Sequence, residues 1–292
     1  LVAGVVLGFV PALRTMSVHA SAGLKEHGRG VTGSVAWLRT GKLIVVGQVA
    51  LAIPLLVGGG LLLRTLQNLR QVDLGYAKER LLMMRVDVQM AGYEEQRRLP
   101  LFQRLLERVR APPGVSAASY SKSGLFLGSR SSGHVEVEGH TQEVWSVWDH
   151  IGPDYFSTLG IPLLLGREIT ERDQSSRNTV CVINEAFAKQ YFADRNPLGM
   201  HVDKYEVVGV ARNSRTRNVR EDIEPRFYVP AAQPTDVPPR FITFVARTAA
   251  EPSSVLADVR RAILSEDANL PITAAGALTE LVDKQMAQDR LL

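Results

Sequence analysis

The sequence of 292 residues contains a single cysteine, Cys181. A disulfide framework within the chain and a cysteine-rich zinc fold are therefore excluded. The composition lacks any extreme, since 45% of residues are hydrophobic and 22% are charged, and wholesale disorder is excluded as well. The sequence also lacks the lysine-containing glycine motif of phosphate loops, because Gly58-Gly59-Gly60 lies in an apolar run without lysine. These glycines instead suit close packing of helices.

A long segment without charged residues lies near the start of the chain. Residues 43–63 contain no Asp, Glu, Lys or Arg, and Lys42 and Arg64 bracket them. As a helix rising ~1.5 Å per residue, the segment measures roughly 30 Å, which matches the hydrocarbon core of a bilayer. We therefore predict a transmembrane helix over 42–66. The alternative is a buried helix of a soluble protein, while length and position argue against a signal peptide.

Two residues of this segment are unusual at membrane depth, Gln48 and Pro54. Polar residues within a membrane often face the interior of a helix bundle. Gln48 is therefore interpreted either as a hydrogen-bonding partner of a neighbouring helix or as a residue tolerated near the interface.

The flanking segments suggest a piece of a longer membrane protein. Residues 1–13 are apolar and are interpreted as the end of a preceding transmembrane helix, with 14–41 as a connector. Both flanks of the 42–66 helix carry similar numbers of basic residues, but long domains translocate regardless of charge. We therefore place the connector in the cytoplasm and residues 70–290 outside. A helical pattern over 277–292 predicts a return towards the membrane.

Two strand–helix–strand patterns frame the outer region. The first comprises a strand at 81–89, an amphipathic helix at 94–110 and a strand at 115–121. The second comprises a strand at 241–247, a helix at 252–264 and a strand at 270–274. Such units predict one small α/β layer in which the early and late parts of the region pair. Between them lie several short strands, one at 179–183, and a helix at 185–192.

Five ordered segments carry a resemblance to a known family. They are LIVVGQVALAIPLLVGGGLLLRTLQNLRQVDLGY (43–76), HIGPDYFSTLGIPLLLGREITERD (150–173), VINEAFAKQYFADRNPLG (182–199), YEVVGVARNSR (205–215) and RFYVPAAQ (226–233). The chain resembles the MacB/FtsX-like permeases of ABC transporters, above all the duplicated orphan permeases of acidobacteria. Residues 11–30 resemble the connector between the two halves of such a permease.

The resemblance implies an α+β extracytoplasmic domain attached to a transmembrane α-helix. In this family the domain has two βαβ units, here 81–122 and 240–275, and a strand-rich inserted subdomain, here 123–239. It implies a multi-pass protein of the bacterial inner membrane, a separate cytoplasmic ABC ATPase as partner, and a dimer or pseudo-dimer of permease halves. No cofactor, metal, nucleic acid or enzymatic activity is expected. Asn213 stands where relatives often carry Asp, which weakens any role for a charge there.

The pattern His134-Val135-Glu136-Val137-Glu138-Gly139-His140 raises the question of a metal site. On one extended strand the two histidines and two glutamates share a face, and these residue types bind zinc. However, residues i and i+4 of a strand lie ~13 Å apart, too far for one ion. The favoured interpretation is a half-exposed strand with Val135 and Val137 turned inward.

Four arginines fall within nine residues and are Arg212, Arg215, Arg217 and Arg220. A solvated loop is the favoured interpretation, and contact with lipid head groups or an acidic partner is the alternative.

Other candidate residues favour structural roles. Ser119, Ser121 and Ser123 cluster after a strand, but the nucleophile-elbow motif of a serine hydrolase is absent from the sequence. Cys181 is predicted to be a small core residue. The aromatic residues Tyr155, Phe156, Tyr191 and Phe192 are predicted core anchors, with a ligand cage as the alternative. Asn184 is predicted to cap a helix, with Glu185 favourable at its positive end.

The leading functional hypothesis is a non-enzymatic permease subunit in which ATP-driven movement of membrane helices reaches the outer domain, for export or signalling. A membrane-anchored sensor with a ligand-binding α/β domain is the first rival. It predicts a signalling module downstream instead of further apolar spans. An anchored extracytoplasmic enzyme is the second rival, and it requires a clustered site that the sequence does not reveal.

Overall fold

The computed structural model describes residues 35–70, 73–127, 129–175, 178–193, 195–218, 222–233 and 237–288. The chain divides into two compact units, Leu1–Gln71 and Val72–Leu292. The predicted helix at 1–13 and most of the predicted connector at 14–41 lie outside the described residues and stay predictions.

The described part of the first unit is one helix of 36 residues, α1 (Val35–Arg70). It includes the predicted segment 42–66 and continues across Pro54. Apolar side chains along its middle are exposed, with Val46 at 63% and Leu56 at 78% of their full accessible area. Among the residues that the structure describes, no helix is both long enough and apolar enough to cross a membrane. The segment is therefore confirmed as a helix, while its membrane span stays a prediction.

The second unit is a mixed α+β domain. Its strands are β1 (Leu81–Asp87), β2 (Val115–Ser121), β3 (Ser131–Val135), β4 (Val144–Ile151), β5 (Leu163–Gly166), β6 (Val180–Asn184), β7 (His201–Val202), β8 (Tyr205–Ala211), β9 (Arg226–Pro230), β10 (Phe241–Thr248) and β11 (Ile272–Ala277). Its helices are α2 (Glu95–Arg110), α3 (Tyr155–Leu159), α4 (Glu171–Ser175), α5 (Glu185–Phe187, continued by the π-helical turn Ala188–Phe192), α6 (Pro252–Glu266) and α7 (Leu278–Gln288). The strands form one sheet in the order β11-β1-β10-β2-β4-β9-β6-β8-β5, with β3 beside β4 and β7 beside β8.

The two strand–helix–strand units interleave in what we call the paired half, formed by residues 81–121 and 241–277. Strand β10 lies between β1 and β2, and β1 lies between β10 and β11, with every neighbour antiparallel. This is the split βαβ arrangement of ferredoxin-like folds. The predicted pairing of the early and late parts of the region is thus confirmed.

The strand period and the helix period of the sequence determine which side chains form the core of the paired half. Alternate residues of β1 and β10 turn towards α2 and α6, because side chains of a strand alternate between its faces. The helices present residues spaced three and four apart. The side chains buried there include Leu82, Met84, Val86, Leu101, Phe102, Leu105, Val109, Tyr120, Ile242, Phe244, Val255, Val259 and Ile263.

Residues 131–230 form the second part of the domain, which we call the inserted half. Its β4–β9 and β6–β8 pairs are parallel, while β6–β9 and β5–β8 are antiparallel. The sheet passes from the paired half to the inserted half through β2 and β4, which share only the pair Ser121–Ile151. Helix α3 of the inserted half packs against β2 and β10. The two halves are therefore interlocked as well as joined edge to edge.

Several element boundaries differ from the sequence prediction. The first strand ends at Asp87 and not at 89, because the Asp87 carboxylate accepts a hydrogen bond from Met90 N and turns the chain. Strand β11 begins at Ile272, after Pro271, which has no N–H to donate to a ladder. The prediction of one extended strand over 134–140 is wrong, because β3 ends at Val135.

Candidate functional site

A cleft of about 530 Å³ opens in the inserted half beside β3, β4, β9 and the turn between β7 and β8. Its polar lining consists of His134, Glu136, Glu143, His150, Asp203 and Lys204. A second cleft of about 370 Å³ shares Glu136, Glu143 and Asp203 with it. Ligand pockets commonly measure ~300–1,000 Å³, so the first cleft is large enough for a small organic molecule.

Aromatic side chains fix the wall of the cleft. The Trp148 ring stacks on Phe227 with centroids 5.8 Å apart. The Lys204 ammonium lies 5.1 Å from the centroid of the Tyr205 ring, within the range of a cation–π interaction. Flat rings packed in this way lose little conformational entropy when a ligand binds, so the wall is preorganised.

Asp203 connects the rim of the cleft to the strand beside it. It lies in the turn between β7 and β8 with φ of +50°. Its Oδ1 accepts a hydrogen bond from Glu136 N at 2.7 Å, and its own N–H donates to Glu136 O at 2.8 Å. Burial raises the pKa of Asp203, while the Glu136 amide and the Lys204 charge oppose that rise. The carboxylate therefore holds the β7–β8 turn against the segment after β3.

The histidine and glutamate pattern does not form a single row of side chains. Gly139 adopts φ of +89°, so the chain turns between Glu138 and His140. Glu138 Oε2 lies 2.9 Å from His201 N, while His140 Nε2 lies 2.7 Å from Tyr191 O. Over the described residues, no group of three or more His, Cys, Asp and Glu is arranged to hold a metal ion.

The two valines of that pattern are buried, as predicted. Val135 and Val137 are each 3% exposed and belong to the core of the inserted half. Val137 still pairs with Val202 through an isolated bridge.

Two of the four clustered arginines contact one aspartate. Arg212 Nη2 lies 2.7 Å from Asp73 Oδ2, and Arg215 Nη1 donates to Asp73 O at 2.8 Å. Arg212 and Arg217 are exposed, whereas Arg220 lies outside the described residues. The loop is therefore anchored at its start and not solvated throughout.

A buried polar network joins the two halves near the end of β2. Ser121 Oγ accepts a hydrogen bond from Gly124 N, and Ser123 N donates to the Asp149 carboxylate at 3.0 Å. Arg85 Nη2 donates to Ser123 O at 2.6 Å. Burial raises the pKa of Asp149, while the Ser123 hydrogen bond and the nearby Arg226 charge oppose that rise.

Sequence reasoning singled out the serines of this network but missed Arg85 and Asp149. The available signal was a charged residue inside a mainly apolar strand, in Met84-Arg85-Val86 and Trp148-Asp149-His150. Such residues are rarely buried without partners. Their contacts here tie strands together, which is a structural role.

The predicted core residues are buried. Cys181 is fully buried, and burial raises the pKa of its thiol well above the usual range, which disfavours the reactive thiolate. Rings of Tyr155 and Phe156 meet edge to face at 5.7 Å, and those of Phe187 and Tyr191 do so at 4.9 Å. These aromatic residues are therefore packing anchors.

Two asparagines stabilise the start of α5. Asn184 Oδ1 accepts a hydrogen bond from Phe187 N at 2.9 Å, which confirms the predicted N-cap. Asn213 Oδ1 accepts from Ala186 N at 2.9 Å. A neutral amide oxygen serves this purpose, so no charge is required at 213.

In α1, Gln48 is half-buried and Pro54 is exposed. No described atom comes within 4 Å of a Cβ placed on Gly58, Gly59 or Gly60, once the helix's own neighbouring backbone is set aside. The predicted role of these glycines in helix packing stays a prediction.

Comparison with known proteins identifies the family. Residues 43–262 match the family described as the MacB-like periplasmic core domain. The macrolide export ATP-binding/permease protein MacB of Aggregatibacter actinomycetemcomitans is 32% identical over 105 residues, which are 35% of this chain and 16% of that protein. The crystal structure of the periplasmic region of MacB from Actinobacillus actinomycetemcomitans matches with a TM-score of 0.51 and 17% identity, over 73% of this chain and 94% of that one. The chain therefore belongs to the MacB-like periplasmic core domain family of MacB/FtsX-like ABC transporter permeases.

Proposed function

We propose that this chain is part of a non-enzymatic permease subunit of an ABC transporter. A separate cytoplasmic ATPase supplies the free energy, and the α+β domain on the extracytoplasmic side changes conformation in response. Movement reaches the domain through the segments that flank it, 43–69 and 277–292, in a dimer or pseudo-dimer of permease halves. The observation that carries the proposal is the family match over 43–262, which includes both α1 sequence and most of the domain.

Membrane insertion of α1 belongs to the same proposal. Residues 43–63 carry no charge, and apolar side chains such as Leu51, Leu56 and Leu62 are 58–78% exposed. Exposed apolar surface of this extent is unfavourable in water and favourable in lipid. Extraction of membranes with alkaline carbonate tests this point, because an inserted chain stays with the vesicles and a peripheral one is released.

The coupling is tested on the full-length protein reconstituted with its cognate ATPase in lipid vesicles. Hydrogen exchange of the outer domain, followed by mass spectrometry, is expected to differ between ATP-bound and nucleotide-free states. A domain whose exchange pattern ignores ATP would contradict the proposal.

The cleft of about 530 Å³ favours a second candidate, an extracytoplasmic ligand-binding domain that senses a small molecule. This alternative predicts a signalling module downstream of residue 292, whereas the permease proposal predicts further apolar spans. The downstream sequence therefore distinguishes the two.

A further inference from the structure

The first residues after α1 in the sequence are fastened to the inserted half. We call Asp73–Tyr76 the anchor segment and Arg212–Arg215, which follows β8, the anchor loop. Asp73 Oδ2 pairs with Arg212 Nη2 at 2.7 Å, and Asp73 Oδ1 accepts from Gly75 N at 2.8 Å. Arg215 donates twice, through Nη1 to Asp73 O at 2.8 Å and through its N–H to Leu74 O at 2.9 Å. The contact thus combines an ion pair with hydrogen bonds to backbone carbonyls of the anchor segment.

Close packing adds to these bonds. Gly75 has φ of +84°, and a Cβ there would lie 2.0 Å from Asn213 O and 2.8 Å from Ser214 Cα. Only glycine fits this approach without displacing backbone. Leu74 and Tyr76 on either side are 3% and 8% exposed. The anchor segment is therefore seated in the inserted half and does not lie over its surface as a loose linker.

The anchor loop leads into the centre of the inserted half. It continues β8, which pairs with β6, and Asn213 Oδ1 accepts a hydrogen bond from Ala186 N at the start of α5. Ala77, next in the chain, donates to Leu159 O of α3 at 3.3 Å. Contact with the paired half follows at Ala77 O, which accepts from Arg247 Nη2 at 3.4 Å. Strand β1 begins only at Leu81.

We propose that the anchor segment is the coupling contact that delivers movement of α1 to the inserted half first. The inference rests on the proposed function and specifies where its mechanical step acts. Asp73 lies three residues after Arg70, the last residue of α1, so the covalent chain carries displacement of α1 to Asp73 before it reaches β1. The ion pair and the glycine seat then move β8 and α5. The contacts with β10, through Ala77 O and Arg80 O, come later along the chain.

The test uses the full-length protein with its ATPase in lipid vesicles. Fluorophores on Lys189→Cys in the inserted half and Arg260→Cys in the paired half report the separation of the halves, because both positions are exposed and Cys181 is buried. ATP is expected to change the energy transfer in the wild type. Gly75→Val, which blocks the seat, is expected to reduce that change at least by about half. Asp73→Asn removes only the exposed ion pair and keeps an acceptor for Gly75 N, so it is expected to give a smaller reduction.

A matched control removes a comparable ion pair elsewhere. Asp258→Ala deletes the Asp258–Arg261 pair of 2.9 Å on α6 and is expected to leave the response to ATP at the wild-type level. Full responses in both anchor variants would overturn the coupling contact and leave the proposed function standing. A wild type that does not respond to ATP would overturn the proposed function and the coupling contact together.

Amide hydrogen exchange in Asp73→Asn tests the coupling contact even if Gly75→Val fails to fold. In Asp73→Asn, exchange of the Arg215 and Ala186 amides is expected to rise about twofold, because their partners belong to the anchor segment and to the anchor loop, and an exposed ion pair contributes little free energy. Amides of β1 and β10 are expected to keep their exchange rates. Unchanged exchange at Arg215 and Ala186 would contradict the inference.

Discussion

The paired half and the inserted half of the domain contribute strands to one sheet, but different contacts stabilise those strands. In the paired half, α2 and α6, of 16 and 15 residues, cover one face of four antiparallel strands with aliphatic and aromatic side chains. In the inserted half, α3, α4 and α5 have five, five and three residues, and parallel and antiparallel pairs alternate. Short helices bury little surface, so other contacts must fix the strands.

Polar side chains that reach backbone groups supply those contacts. Gln174 Nε2 donates to Ile151 O at 3.1 Å, and Gln174 Oε1 accepts from Ala232 N at 3.1 Å. Gln233 Nε2 donates to Asn178 O at 3.1 Å. These bonds reach backbone groups at or just beyond the ends of β4, β9 and β6, and buried backbone groups are costly when unpaired. The comparison shows that regular secondary structure and side-chain hydrogen bonds are alternative ways to meet the same requirement.

The largest expected effect tests whether the halves fold as one. Phe102→Ala in the paired half and Phe187→Ala in the inserted half each remove a fully buried ring, and each is expected to lower the free energy of unfolding by about 3–5 kcal/mol. Because α3 packs on β2 and β10, both substitutions are expected to destabilise the whole domain. Urea titration followed by circular dichroism and by tryptophan emission measures this.

The emission reports the inserted half in a Trp37→Phe background, since Trp145 and Trp148 then provide the signal from β4. The two probes are expected to give one midpoint in each variant. Separate midpoints after Phe102→Ala would show that the halves unfold independently.

A smaller effect, dependent on pH, is expected in the inserted half. Burial pushes the pKa of Asp173 upward, but hydrogen bonds from Arg167 and Thr170 outweigh it and hold the pKa below its usual value. A lowered folded-state pKa adds stability above the unfolded pKa of about 3.9, and that stability is lost as pH falls through the folded pKa. Asp173→Asn is therefore expected to cost about 2 kcal/mol at neutral pH and progressively less in acid.

Chemical denaturation at several pH values measures this difference. A cost that is the same at pH 7 and at pH 3 would show that the charge of Asp173 does not contribute. Thr170→Ala serves as a control, because it removes one hydrogen bond without removing the charge.

The smallest effect is expected for an ion pair of the paired half. Arg104 Nε lies 2.5 Å from Glu266 Oε1 between α2 and α6, and the arginine side chain is 50% exposed. Exposed pairs contribute little, so Arg104→Ala is expected to cost about 0.5 kcal/mol. Thermal unfolding in low and high salt measures it, with Arg108→Ala as the matched variant on the same glutamate. A loss comparable to that of Asp173→Asn would remove the contrast between the halves.

The paired half was predictable from sequence because its elements are long and periodic. Leu101, Leu105 and Val109 recur at helical spacing, and Pro112-Pro113-Gly114 ends the helix near its observed end at Arg110. The inserted half was harder to predict. The 134–140 pattern suggested one strand, because alternation alone does not reveal that Gly139 turns the chain and that Glu138 binds His201.

The polar contacts between distant residues could not be predicted from the sequence for a different reason. Asp73 and Arg212 are 139 residues apart, and Arg85 reaches Ser123 from another strand. No local pattern reports such pairs, since they depend on which strands become neighbours. The cleft beside Asp203 likewise exists only because β3, β4, β9 and the β7–β8 turn converge.

The sequence by itself determined the helix over 42–66, the two strand–helix–strand units, the buried aromatic residues and the family, because hydrophobic period and local motifs carry that information. Only the tertiary structure decided the interleaving of the units, the narrow junction between β2 and β4, and the seat of Gly75 against Asn213. These features arise from contacts between residues far apart in the chain, and their free energy depends on distances that exist only after the sheet has formed.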